Sequence, residues 1–240
     1  MAWALPADLA ERARASLEHA ASALALTAAP PEGLDLEALE APPDKVVAEV
    51  AILVREALAA PDELLRAQAL TLVPALAARG RSARLLVGLA LRPSAARDIA
   101  LPHILLARAG HGDEAFEAAL ARSLASPLAD AHERLPYRAL EQAWAERLRT
   151  GDAAGPGLPA GGILRSGPDL AGGSRDDLYA LTHALAYASD FGRWQLPQAV
   201  DRAHLQQAID SALARVLAGD DFDLAAELSS MNVEKMCASM

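Results

Sequence analysis

Apolar positions recur along most of this chain at spacings of three and four, the period of an amphipathic helix. The first run covers about residues 7 to 28, with Leu9, Leu17 and Leu24 on one face and Glu11, Arg14 and Glu18 elsewhere. Two proline pairs in "APPEGLDLEALEAPPD" (29 to 44) break it, because proline removes a backbone donor. A second helix is predicted from about 44 to 59, with Asp44 as its N-cap. "PDELLRAQALTLVPALAARG" predicts a third, with Pro61 at its first position and Asp62 and Glu63 complementing the helix dipole. Pro74 is expected to kink or split it, and Gly80 to close it. Further helices are predicted at roughly 81 to 91, 94 to 109, 113 to 125, 133 to 150, 176 to 190 and 198 to 218, and a short one from Asp221. Ser94 and Asp113 are read as start signals. "GILRS" (162 to 166) is the one candidate for an extended piece. The expectation is an all-α fold, an irregular array of about eight to ten helices in a single domain over 1 to 240, without significant sheet. No fixed-period repeat is evident.

The largest interruption is "GDAAGPGLPAGGILRSGPDLAGGS" (151 to 174), with eight glycines and three prolines. A loop of that length inside a domain is usually functional or disordered. It reads either as a lid over a pocket or as a linker, and its composition does not separate the two.

Composition narrows the partners. The formal net charge is −10, which repels a phosphate backbone, and the arginines form no basic run, so nucleic acid is disfavoured. Hydrophobic residues make up 52% but aromatics only 4%, so much of the apolar content is Ala, the strongest helix former. The single cysteine, Cys237, can form no internal disulfide and no cysteine metal cluster. The N-terminal residues do not read as a signal peptide, and no apolar stretch approaches the length of a membrane span. These features predict a cytoplasmic protein with no membrane partner. The terminal "MNVEKMCASM" reads either as a tail that docks on a partner or, by the commoner rule, as a frayed end.

One helix departs from this background. "DDLYALTHALAYASDFG" (176 to 192) carries two tyrosines, a threonine, a histidine and an aspartate. At 3.6 residues per turn, Tyr179, His183, Tyr187 and Asp190 lie near one face, with Thr182 beside them. His183 and Asp190 are two turns apart, about 10 Å, too far for a direct hydrogen bond. His183 is a candidate general base or polar anchor, Asp190 an anchor for an ammonium group, and Tyr179 and Thr182 orienting donors. Tyr187 can bond or cover a cationic substrate. Arg193 and Trp194 follow the Gly192 turn, where Arg193 suits an anion. Upstream, "LPYRALEQAWAERL" (135 to 148) places Arg138 and Glu141 at i and i+3, as a salt bridge or as a paired polar wall. The alternative is a core helix in which His183 is buried against a backbone acceptor and Asp190 ends the helix before glycine. His19, His103, His111, His132 and His204 stand apart from any motif. No metal-binding spacing, phosphate loop, dinucleotide fingerprint or GxSxG is present, and "DFG" has no kinase context. No metal or redox cofactor is predicted.

Together, "LPHILLARAGHGDEAFEAALARSL", "LPYRALEQAWAERL" and "DLYALTHALAYASDFG" resemble a poorly characterised family of actinobacterial α-helical proteins with a Tyr, Thr-His and Asp-Phe-Gly signature, some of them in natural-product gene clusters. The resemblance covers about residues 94 to 218, and Thr182-His183 with Asp190-Phe191-Gly192 is its most specific part. It extends to the aziridine-forming pair of azinomycin-type biosynthesis, in which two small proteins close a three-membered ring by expelling sulfate. It implies a cofactor-independent small-molecule enzyme, or one subunit of a heteromeric enzyme. An acidic chain would suit a basic partner subunit. The competing expectation is a non-catalytic helical protein whose Ala/Leu faces bind a partner.

Overall fold

The computed structural model describes residues 7–27, 43–152, 157–167, 169 and 173–231. Cys237 and the rest of the terminal segment beyond Met231, and parts of the 151–174 segment, lie outside the described residues. The described residues are helical, with eleven α-helices and no strand. The predicted all-α array is therefore correct in class. Contacts gather in two compact units, residues 1–132 and 133–240. The hydrophobic pattern, read as one domain, does not mark that division, because a short connection joins helices within a unit as readily as between units.

The first unit holds α1 (Ala7–Leu26), α2 (Pro43–Ala59), α3 (Glu63–Gly80), α4 (Ala83–Leu91), α5 (Ala96–Arg108) and α6 (Glu114–Leu124). In α1 the buried stripe is Ala10, Leu17, Ala20 and Leu24, whereas Leu9, expected on that face, is 42% exposed. Leu9 sits one residue off the seven-residue repeat of 10, 17 and 24, and one residue turns a side chain by about 100°. Helix α2 already includes Pro43, so Asp44 is not its cap. Helix α3 begins later than predicted because Asp62 caps it, accepting from Leu65 N. It runs unsplit through Pro74. Pro93–Ala95 form a turn of 3-10 helix, so α5 starts at Ala96 rather than at Ser94. Leu101 to Leu106 of α5 are all buried, as expected of a helix packed against α2, α3, α4 and α6.

The second unit holds α7 (Pro136–Thr150), α8 (Ile163–Ser166), α9 (Arg175–Ser189), α10 (Arg202–Ala218) and α11 (Phe222–Ser230). The expected extended piece "GILRS" is instead the single turn α8. Gly162 accepts from the amides of Arg165 and Ser166, and Gly167 closes the turn at φ 78°. A short apolar run between glycines fits strand and helix equally by pattern, and this local bonding decides it. Helix α9 is central: α7, α8 and α11 all pack against it. Its second half, Ala184 to Ser189, is entirely buried.

Candidate functional site

Three helices place the polar side chains of the second unit. Pro136 opens α7, with its ring pre-set for the first helical position, and sends Tyr137, Glu141 and Trp144 towards α9. A capping box starts α9: Ser174 Oγ accepts from Asp177 N, and the Asp177 carboxylate accepts from Ser174 N at 2.7 Å. Asp221 caps α11 through Leu224 N, which brings Glu227 to Thr182.

The half-buried first half of α9 carries an aromatic cluster. The Tyr179 and His183 rings lie 3.8 Å apart at 31°. Tyr137 of α7 meets both edge-on, at 6.4 Å from Tyr179 and 6.0 Å from His183. His183 Nδ1 is 3.0 Å from the Tyr179 carbonyl. A carbonyl only accepts, so Nδ1 carries the proton and the neutral ring keeps its lone pair on Nε2. Nε2 has no hydrogen-bond partner among the described residues. Thr182 Oγ1 donates to Glu227 Oε2 at 2.6 Å, and that oxygen is 3.9 Å from His183 Nδ1. Burial pushes the His183 pKa below its ordinary value. Glu227, the Tyr179 carbonyl and Glu141 pull it up without overcoming burial, and Arg138 adds to the lowering. His183 is therefore a neutral acceptor near neutral pH.

A second group lies one turn on. Tyr187 donates its hydroxyl to Glu141 Oε1 at 2.9 Å, and Arg138 donates to Glu141 Oε2 at 2.7 Å. Burial, then the Glu141 charge and hydrogen bond, raise the Tyr187 pKa far above its ordinary value. Burial opposes the Arg138 charge, but the hydrogen bond and charge of Glu141 outweigh it and hold the guanidinium protonated. At the end of α9, Asp190 (1% exposed) sits in the left-handed region at φ 50° and accepts from Trp144 Nε1 at 2.7 Å. The Arg147 guanidinium lies 3.5 Å over the Trp194 ring, a cation–π contact.

With Nδ1 on the Tyr179 carbonyl, the Nε2 lone pair of His183 is the group of this cluster that can accept a proton. Among the described residues no group of three or more His, Cys, Asp and Glu is arranged to hold a metal ion. No helix there is long and apolar enough to cross a membrane.

A family model matches residues 10–230, which run through both units. The chain belongs to that family, a domain of unknown function (DUF6895). Its description carries no activity and no link to azinomycin-type biosynthesis. No curated protein and no solved structure was found to match the chain.

Of the residues singled out in this DUF6895 chain, Tyr179, Thr182 and His183 come together at the cluster. Tyr187, Arg138 and Glu141 form the adjoining network, and Arg138–Glu141 is the predicted i, i+3 ion pair. Asp190 does not join them. Its carboxylate turns to the Trp144 indole inside the core, and its backbone ends α9. Trp194 is stacked on Arg147, and Arg193 donates its backbone N–H to the Asp190 carbonyl. Two residues of the cluster were not foreseen. Tyr137 shares a helical face with Glu141 and Trp144 at i+4 and i+7, and that spacing was a usable signal. Glu227 is 45 residues from Thr182 in sequence, and no local pattern announces such a pairing. His103, set aside as isolated, has partners in the first unit. Its Nδ1 accepts from Arg81 Nε at 3.0 Å, and Nε2 faces Glu117 at 3.3 Å.

Proposed function

We propose that the second unit binds a small molecule at Tyr137, Tyr179 and His183 and transfers a proton through His183 Nε2, acting as a cofactor-independent, cytoplasmic enzyme. The observation that supports this reading most is the His183 tautomer. Nδ1 is tied to the Tyr179 carbonyl and burial disfavours the imidazolium, so the Nε2 lone pair is available near neutral pH.

The ring closure implied by the resemblance is one reaction of this kind. The amine nitrogen attacks the neighbouring carbon, a C–N bond forms, and the C–O bond to sulfate breaks. The bonding electron pair leaves with the sulfate, and the nitrogen's proton passes to His183 Nε2. Asp190 has no part in this scheme, because the Trp144 indole already engages its buried carboxylate. The partner subunit implied by the resemblance, basic if it complements this chain's net charge of −10, would complete the enzyme, and co-purification of the full chain from its source tests that pairing.

The test of the chemistry is sulfate release from vicinal amino sulfate esters by the full chain and by His183→Gln. Loss of a positioned general base lowers the rate by about 10²–10⁴-fold. Equal release by a folded His183→Gln variant would overturn the role of His183.

A further inference from the structure

Two acceptors compete for one hydroxyl hydrogen beside His183. Thr182 Oγ1 lies 2.6 Å from Glu227 Oε2 and 3.0 Å from the Tyr179 carbonyl. The contact with the carboxylate is shorter and charge-assisted, so the hydrogen goes to Glu227. Oγ1 then turns its lone pairs to His183 Nδ1, 3.3 Å away, and the Tyr179 carbonyl faces the same nitrogen at 3.0 Å. Nδ1 therefore meets acceptors and keeps its proton. Glu227 Oε2 itself is 3.9 Å from Nδ1, close enough for its charge to favour an imidazolium. The charges that reach the ring from α7, Glu141 and Arg138, are paired with each other at 2.7 Å. Tyr137 of α7, and Tyr179 and Tyr187 of α9 itself, meet the ring with their own rings. Helix α8 carries one charged residue, Arg165, and it is exposed. Glu227 comes from α11 and forms no ion pair with Lys or Arg among the described residues.

We infer that Glu227 is a positioning residue for His183: through the Thr182 hydroxyl it fixes the ring with its proton on Nδ1, and its carboxylate stabilises the imidazolium formed when Nε2 takes a proton. The inference rests on the reading of His183 Nε2 as the proton acceptor and adds the residue that tunes it. The proton leaves the substrate nitrogen and arrives at Nε2. Nδ1 and Oγ1 keep their own hydrogens, so no proton travels along the relay and one positive charge appears on the ring. Burial opposes that charge, and Glu227 opposes burial, so a partly buried histidine remains a usable base.

NMR of the full chain with labelled histidine tests it, the His183 signals being assigned by their loss in His183→Gln. The Cε1–H shift gives the titration midpoint, and the ring nitrogen shifts give the tautomer. Glu227→Gln keeps the shape and removes the charge, so the His183 midpoint is expected to fall. Glu227→Asp keeps the charge and is expected to bring the midpoint back up. In sulfate release, Glu227→Gln is expected to lose at least about tenfold in rate, because a base of lower pKa is weaker. The acid limb of its pH–rate profile should move to lower pH with the midpoint, which a residue that only braced the helices would not cause. Thr182→Val leaves the charge and breaks the relay, so the Nε2–H tautomer is expected to gain population, whereas Thr182→Ser should keep the wild-type tautomer. A wild-type midpoint or a wild-type rate in a folded Glu227→Gln, or an unchanged tautomer in Thr182→Val, overturns the inference. If the wild-type chain releases no sulfate, the proposed reaction falls, and the midpoint and tautomer still decide the role of Glu227.

Discussion

Single side chains divide here between holding the core and meeting a ligand, and Asp190 marks the boundary. A buried carboxylate needs a donor, and Trp144 Nε1 supplies it at 2.7 Å. Asp190→Ala removes that acceptor and strands the buried indole N–H. It is expected to cost about 2–3 kcal/mol in urea denaturation. Asp190→Asn retains an acceptor oxygen and tolerates the left-handed backbone, so it should cost clearly less. Neither change should alter sulfate release from vicinal amino sulfate esters, and a large loss of release in a folded Asp190→Asn would return this residue to the site. The sequence suggested two duties for Asp190, anchor or helix end. Only the tertiary contact with Trp144, 46 residues away, selects the second.

At the scale of the element, α9 is two half-helices with different surroundings. Its second half is closed by neighbours, and its first half leaves Tyr179 and His183 partly open. The capping box fixes where this helix starts and thus the direction of its polar face. Ser174→Ala should lower stability by about 1 kcal/mol, read as a fall in Tm, and no change would show that packing alone holds the first turn. Helix approach is a second constraint. A Cβ at Gly80 would come 2.9 Å from Pro102 Cβ, so Gly80→Ala must push α3 from α5. The expected loss is about 1–3 kcal/mol in thermal or urea unfolding. All the helices but α8 were legible in the sequence, and the starts read at Asp113 and Asp221 fall on the residues that cap α6 and α11. Starts were misplaced where a proline or a 3-10 turn shifted them, because proline fixes φ without saying which residue is the first helical one.

For the whole molecule, the buried histidines set the response to acid. Burial lowers the pKa of His103, with Arg81 adding to the effect against Glu117 and Asp113, and burial lowers that of His183. In the unfolded chain both titrate near 6.5, so over the window below that value the unfolded state binds more protons. Stability then rises with pH through the window. It is full above about pH 6.5 and is lost as pH falls towards the folded-state pKa values. Urea midpoints from pH 7.5 down to 5 should decline, and His103→Gln should flatten the decline. A flat wild-type profile over that range would contradict both shifts. That dependence reports on both compact units, since His103 lies in the first and His183 in the second.

The sequence by itself determined the all-helical class, the number of helices to within a few, their approximate limits and the unusual polar content of residues 176 to 192. These follow from period, propensity and capping, which act within about four residues. Tertiary structure alone decided that Glu227 reaches Thr182, that Tyr137 completes the ring cluster, that Asp190 turns inward to Trp144 and that the chain gathers into two units. Such pairings join residues tens of positions apart. They depend on which helix faces meet, and nothing in the spacing along one helix encodes what will stand opposite it.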